Sequence, residues 1–351
     1  MVFETNDLRK YSKTIGLLNT DYVYLDVPNS KIYIADDKTA IEVDVKFRDV
    51  SDDENKVFVI SKMDFMHVVN FTLSLYMNSK YQYTSETNQI KGKFENSNDE
   101  SDVVDSIKLM FDEKNAYNEF CTFDEDFIEK LMRAFVFVDV DNLKTDFRYI
   151  DIKDGYIFSS SKMRIYKNKL NVINDGLIDG NFIKFFMQFG VGTKLYNKEN
   201  SYLLKSDNIS IYLSTMNDVN YLPVLEENFK PRYERLFDEN WAEFSCKDTL
   251  NKLNYIYFYA KNNPNSLINF TLTKDKCVIS SLANEIELPI ISSSIEKEII
   301  IPCDSSALVT IFEKIKSKNF KIYFSSDEEY KLFSLRFNED ELVILAKINV
   351  N

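Results

Sequence analysis

A pattern that returns about every sixty residues constrains this chain more than anything else in it. A stretch of β-forming residues leads to a polar capping residue and then to an amphipathic helical segment. Three copies are plain. Val57, Phe58, Val59 and Ile60 precede Ser61 and the run 62–69; Phe120 and Cys121 precede Asp124 and the run 125–132; Ile299, Ile300 and Ile301 precede Asp304 and the run 305–312. Fainter copies centre on Leu8, Phe182 and Leu250. With Leu8, Phe65, Phe127, Phe182, Leu250 and Leu308 as the first large core residue of each helix, successive spacings are 57, 62, 55, 68 and 58. Six units therefore fill the 351 residues, the signature of a repeat architecture. Thr5, Ser61, Asp124, Asp179, Asp248 and Asp304 stand where side-chain caps for orphan amide groups are needed.

Between the helices the chain alternates with period two. Tyr22 to Val27 turns at Pro28 and Asn29 into Lys31 to Ile34, and 40–47 alternates strictly. Segments 210–213 and 321–324 behave alike, so the strands form antiparallel meanders with one buried face. One helix and about four strands make too small a core to stand alone, so the units are expected to pair. The predicted fold class is α+β: three tandem domains, 1–117, 118–238 and 239–351, each a doubled helix-plus-meander unit. The polar stretch 95–106 reads as a flexible loop within the first domain.

The rare residues exclude most chemistry. His67 is the single histidine, so no two-histidine metal site can form. Seven glycines include neither common phosphate-cradling loop. Cys121, Cys246, Cys277 and Cys303 lie far apart with no C-x-x-C pair, which reads as reduced, mostly buried thiols. Asp139 and Asp141 invite comparison with a nuclease metal pair, but they end an apolar run where a turn is due. His67 lies on a helix with no identifiable nucleophile signature, and is structural or surface-facing. No enzyme activity and no cofactor are expected. No apolar run approaches a membrane span and the N-terminal residues lack a secretory signal, so a cytoplasmic protein is expected. Most Tyr and Phe fall in strands and read as core rather than as a base-stacking platform.

The strand end Ser160, Ser161, Lys162, Met163, Arg164, Ile165 resembles a motif of the bacterial-type DNA polymerase sliding clamps, the beta clamps. There the strand ends in Ala-Thr-Asp-Gly-His-Arg-Leu-Ala. Ser160 matches the Thr, Lys162 the Gly, Met163 the His, Arg164 the Arg and Ile165 the Leu. The segment 216–225, with Pro223 and Val224, is similar to the family's aromatic-Pro connection into its third domain. The C-terminal 342–349 stands where the family has Val-Met-Pro-Met-Arg-Leu. The Asp-Gly pair and the Met-Pro-Met tail are absent, so the preferred peptide is expected to differ from that of ordinary clamps. Divergence of this size suggests a phage-encoded version. The resemblance in organisation covers essentially the whole chain.

The resemblance implies half of a head-to-tail ring, closed by a second copy, around duplex DNA that it holds without sequence readout. It also implies that a DNA polymerase and a clamp loader dock through short peptides. The alternative is a clamp-fold interaction protein that recruits RNA polymerase or mimics a host clamp. The helices would line the hole. The six helical windows carry 13 Lys and Arg against 10 Asp and Glu, while the whole chain is at −13 with a pI near 4.8; the remainder is thus at −16. Candidate DNA contacts are Arg9, Lys10, Lys13, Lys62, Lys130, Arg133, Lys184, Lys252, Lys314 and Lys316. Lys130 and Arg133 share one helix face and are expected to be exposed. The implied partner-peptide groove is Ser160, Lys162, Met163, Arg164, Ile165, Pro223, Val224, Leu345 and Ile348.

Overall fold

The computed structural model describes residues 1–78, 82–86, 89–95, 100–112, 117–141, 145–161, 164–172, 174–198, 201–214, 240–262, 266–325 and 332–348. The order strand, helix, three strands recurs six times along them. The first repeat is β1 Val2–Glu4, a 3-10 turn Asn6–Tyr11 running into α1 Ser12–Gly16, then β2 Tyr22–Asp26, β3 Lys31–Ala35 and β4 Thr39–Asp44, followed by a short β5 Phe47–Arg48. The second is β6 Val57–Ser61, α2 Lys62–Phe71, β7 Ser74–Asn78, β8 Gln82–Ser85 and β9 Lys91–Lys93. An additional helix, α3 Ser101–Phe111, comes next. The third repeat is β10 Asn118–Thr122, α4 Glu125–Phe135, β11 Tyr149–Lys153, β12 Tyr156–Ser161 and β13 Arg164–Lys169. The fourth is β14 Gly176–Asp179, the one-turn α5 Ile183–Phe186, β15 Lys194–Lys198, β16 Ser201–Ser206 and β17 Ile209–Ser214. The fifth is β18 Asn240–Ser245, α6 Cys246–Ala260, β19 Leu267–Leu272, β20 Cys277–Ser281, β21 Asn284–Leu288 and a short β22 Ser292–Ser293. The sixth is β23 Ile299–Asp304, α7 Ser305–Lys314, β24 Asn319–Phe324, β25 Leu332–Arg336 and β26 Leu342–Ala346.

The helix starts follow the capping chemistry. Ser61 Oγ accepts the Asp64 amide at 3.1 Å, and Asp304 Oδ1 accepts those of Ser306 at 2.8 Å and Ala307 at 3.3 Å. Asp179 Oδ1 takes the Asn181 amide at 2.9 Å, and Asp124 directly precedes α4. Two expected caps are corrected. The Asp248 amide instead donates to Ser245 Oγ at 3.3 Å, so Ser245 caps α6 and Asp248 lies in its first turn. The Thr5 hydroxyl donates to the Thr72 carbonyl, 67 residues away, because burial there demands a partner.

The repeats exchange first strands in pairs. β1 joins β7 while β6 joins β2; β10 joins β15 while β14 joins β11; β18 joins β24 while β23 joins β19. The third strand after each helix joins a different repeat: β4 of the first pairs antiparallel with β17 of the fourth, and β13 of the third with β26 of the sixth. The results are an eight-stranded sheet, β10-β15-β16-β17-β4-β3-β2-β6, and a nine-stranded one, β14-β11-β12-β13-β26-β25-β24-β18-β22. A five-stranded sheet ends in β9 and a four-stranded one in β21. The chain gathers into two compact units, Met1–Glu125 with Phe182–Asp218 and Asp126–Asn181 with Val219–Asn351. The five- and eight-stranded sheets belong to the first, the other two to the second.

The loop expected over 95–106 is corrected by α3. Val104, Ile107 and Phe111, spaced three and four apart, are buried on Tyr33, Ala40, Val57 and Leu203 of the eight-stranded sheet. The dense charge around this stripe hid its helical period. Lys108 Nζ adds an ion pair at 2.8 Å to Asp26, whose carboxylate is buried and also accepts from Asn29. Burying such a triad contributes about 1.5–3 kcal/mol per side chain. The meander therefore has both faces covered here, not one. Tyr33, Ala40 and Val57 turn toward α3, while Ile32, Ile34, Ile41 and Val43 between them are buried on the opposite face.

Candidate functional site

Each nominated cation has a definite place. Arg9 donates from Nε to the Val69 carbonyl at 3.1 Å and from Nη2 to that of Thr72 at 2.9 Å, closing the last turn of α2. Lys62 does the same for α1, donating from Nζ to the Gly16 carbonyl at 3.3 Å and to that of Leu18. Burial lowers the pKa of this ammonium. Both groups satisfy orphan helix carbonyls, a use that helical periodicity alone does not reveal.

The expected exposure of Lys130 and Arg133 is overturned. Lys130 pairs with Asp126 at 2.7 Å, one turn earlier. Arg133 pairs with Glu129 at 2.6 Å and grips both carboxylate oxygens of Glu341 at 2.8 and 2.9 Å; its side chain is 13% exposed and that of Glu341 2%. Glu341 also accepts the Tyr166 hydroxyl at 2.9 Å, which in turn accepts from Asn168 at 3.0 Å. Burial alone would favour neutral Arg133, but the Glu341 carboxylate raises its pKa and holds it charged. Burial, then Glu341, pushes Tyr166 up. Acid-before-base spacing of four in both Asp126/Lys130 and Glu129/Arg133 was the available sequence signal. Lys10, Lys13, Lys184, Lys314 and Lys316 are exposed, and Lys252 is half-buried. Lys247 and Lys261, also exposed on or beside α6, were not nominated.

The groove residues divide. Arg164, Leu345 and Ile348 line one cavity of about 370 Å³ with Cys303, Asp304, Ala307, Leu308, Phe333, Ala346 and Lys347. The Ile348 amide donates to the Pro302 carbonyl at 3.0 Å and so holds the C-terminal segment along β23. Ser160 and Ile165 do not line this cavity. Both are buried on the other face of the nine-stranded sheet, Ile165 against Phe158, Leu342 and Ile344. Strand alternation gives the reason, because Arg164 and Ile165 must point to opposite faces. Lys162, Met163, Pro223 and Val224 lie outside the described residues. The wall supplied by the first turn of α7 was missed, since those residues read only as helix core.

Cys246, Cys277 and Cys303 are buried and Cys121 half-buried, all as free thiols. Burial pushes Cys121, Cys246 and Cys277 up to about 12, so they stay protonated at neutral pH. His67 is exposed, its ring 4.9 Å from that of Phe71. Among the described residues no three His, Cys, Asp or Glu gather as metal ligands. The aromatics are not all core. Phe71 on α2 is 71% exposed, and Tyr255 and Phe258 on α6 are 49% and 63% exposed. Helix α6 packs beneath β20 and β21. Among the described residues no helix is long and apolar enough to cross a membrane.

No protein-family model and no curated protein sequence matches this chain. Solved structures do. The DNA polymerase sliding clamp of Pseudomonas aeruginosa superposes with a TM-score of 0.78 at 8% identity, over 100% of this chain and 99% of that one. The DNA polymerase III beta chain of Streptococcus pneumoniae gives 0.74 at 12%, over 99% of each. The Helicobacter pylori beta clamp bound to a DNA ligase peptide gives 0.72 at 12%, over 99% of this chain and all of that one. The chain has the sliding-clamp fold along its whole length, reached with few shared residues.

Proposed function

We propose that this chain is a DNA sliding clamp: a non-catalytic, cytoplasmic ring of two copies that encircles duplex DNA and tethers a DNA polymerase to it. The observation that carries this is the state of the third strands. Repeats one and four, then three and six, close their junctions within the chain through β4 with β17 and β13 with β26. The next step in that series is repeat five with repeat two of another copy. Their third strands, β21 and β9, are sheet edges without a strand partner among the described residues. Exposed Phe258 and Tyr255 lie on the helix under β21, and exposed Phe71 on α2 of the second repeat. An open edge beside exposed aromatics favours a strand from another chain. In this reading the strand exchange delimits three domains, 1–117, 118–238 and 239–351.

Light scattering at micromolar concentration tests the assembly. Two copies, about twice 41.2 kDa, are expected. A strict monomer would count against a self-closing ring.

The cavity bounded by Arg164, Leu345 and Ile348 is the proposed seat for a short polymerase or loader peptide, with apolar anchors under a cationic rim. The DNA ligase peptide on the Helicobacter pylori clamp is a precedent for a peptide on this fold. A fully desolvated anchor is worth about 2 kcal/mol, so losing one lowers affinity roughly thirtyfold. Ile348→Glu should do this to polymerase binding, measured by titration calorimetry, with the dimer mass unchanged. Undiminished binding would move the docking site elsewhere.

A further inference from the structure

One hairpin turn holds a residue that its backbone disfavours. Ser281 of β20 pairs with Asn284 of β21, so Leu282 and Ala283 form a two-residue loop. Leu282 has a φ of 53°, in the left-handed region. There a Cβ crowds the following carbonyl oxygen, and such loops ordinarily take glycine, asparagine or aspartate. The other described non-glycine residues with positive φ are Ser30, Asp49, Asp154, Asp207 and Ser266, all small and polar. Packing within the fold does not offset the strain, because Leu282 is 80% exposed. A lone exposed leucine needs no explanation, but one held in a disfavoured conformation with most of its surface in water does. The turn lies at the same end of the four-stranded sheet as the cavity. Ser281 Oγ donates to the Leu267 carbonyl at 3.1 Å, and Leu267 pairs across to Asp304, which lines the cavity. Ser305 Oγ ties down the same end by donating to the Ser266 carbonyl at 2.7 Å. β20 is two strands from β23, so the turn stands about 10 Å from Asp304 at the usual strand spacing, with half-buried Leu267 between them.

We propose that Leu282 is a second docking point, beside the cavity, for the folded body of the DNA polymerase whose peptide fills that cavity. The inference rests on the clamp reading above and extends its partner surface. Position and reach choose the occupant. A peptide seated beside Asp304 brings the protein that carries it to within about 10 Å of the turn, two strand spacings away. A contact at Leu282 then forms within an existing complex, where the tethered partner is at high effective concentration. The complementary surface is an apolar notch filled by one branched side chain. A two-residue loop suits the task, since little conformational freedom is lost when it docks. Glycine or asparagine would fold more easily at this turn, but neither offers an apolar anchor.

The test uses full-length Leu282→Gly, Leu282→Asn and Leu282→Met. The probes are the full-length DNA polymerase from the same genome and the shortest fragment of it that binds the wild-type protein. By titration calorimetry, the Gly and Asn variants should bind the polymerase about tenfold or more weakly, the effect of leaving one leucine unburied. They should bind the fragment as the wild type does. Their urea midpoints should equal or exceed that of the wild type, because the backbone strain is relieved. Their mass by light scattering should be unchanged. Leu282→Met keeps an apolar side chain on the same backbone and should retain most of the polymerase affinity. The proposal is overturned if the Gly and Asn variants bind the polymerase undiminished, or if they lose the fragment equally. It is also overturned if their urea midpoints fall or their dimers weaken, since Leu282 then serves the fold or faces a second copy. A wild type that binds no polymerase instead rejects the clamp reading, and this proposal falls with it.

Discussion

Arg133→Ala is expected to cost about 3–5 kcal/mol of stability, the loss typical when one partner of a buried ion pair is removed. The reason lies in what is left behind. Glu341 is 2% exposed at its side chain and takes two hydrogen bonds from Arg133; the Tyr166 hydroxyl then remains as its buried donor. Water cannot reach the carboxylate without opening the contact between α4 and the turn before β26. Substituting both residues, Arg133→Met with Glu341→Leu, should recover most of the loss, since no orphaned charge remains. Lys130→Ala should cost less than about 1 kcal/mol, because its partner Asp126 is solvent-exposed and a surface pair contributes little. Urea unfolding followed by circular dichroism at pH 7 separates the three. A loss below about 1 kcal/mol for Arg133→Ala would show that Glu341 finds another partner.

The second large effect concerns DNA. Protein assembled on a closed circular plasmid should remain for a lifetime orders of magnitude longer than on the same plasmid cut once. A ring leaves a circle only by opening, whereas it slides off an end. The exposed lysines on or beside the helices, Lys10, Lys13, Lys184, Lys247, Lys261, Lys314, Lys316 and Lys318, are too few to hold DNA by themselves in a chain of net charge −13. Binding to short linear duplex should therefore be weak and fall steeply with salt, by about 0.9 in the logarithmic slope per phosphate neutralised. Lys314→Glu with Lys316→Glu should slow loading and leave the fold intact. Gel filtration of loaded plasmid, before and after a single restriction cut, gives the answer. Equal retention by circle and linear form would leave encirclement without support.

Much of this was written in the sequence. The sixty-residue period, the alternation between helices, and the caps at Ser61, Asp179 and Asp304 are local signals. They fix a six-fold strand-and-helix architecture because backbone period and orphan amides are decided within a few residues. Residues Arg164, Leu345 and Ile348 were also legible as one wall of a cavity, through the likeness of their strand ends to a known family. What the sequence could not decide was partnership across distance. Whether a cationic side chain on a helix faces solvent, caps another helix as Lys62 does, or belongs to an ion pair as Arg133 does with a residue 208 positions away depends on which elements meet. The burial of α3 was hidden for the same reason, since an acidic stretch becomes a stable helix only where a tyrosine-lined sheet waits for Val104, Ile107 and Phe111. Among the described residues, β9 and β21 stand out as open sheet edges only once the strands that end the other meanders have found their neighbours. Local chemistry chose the elements, and tertiary pairing decided which charges were spent inside the fold and which were left at its edges.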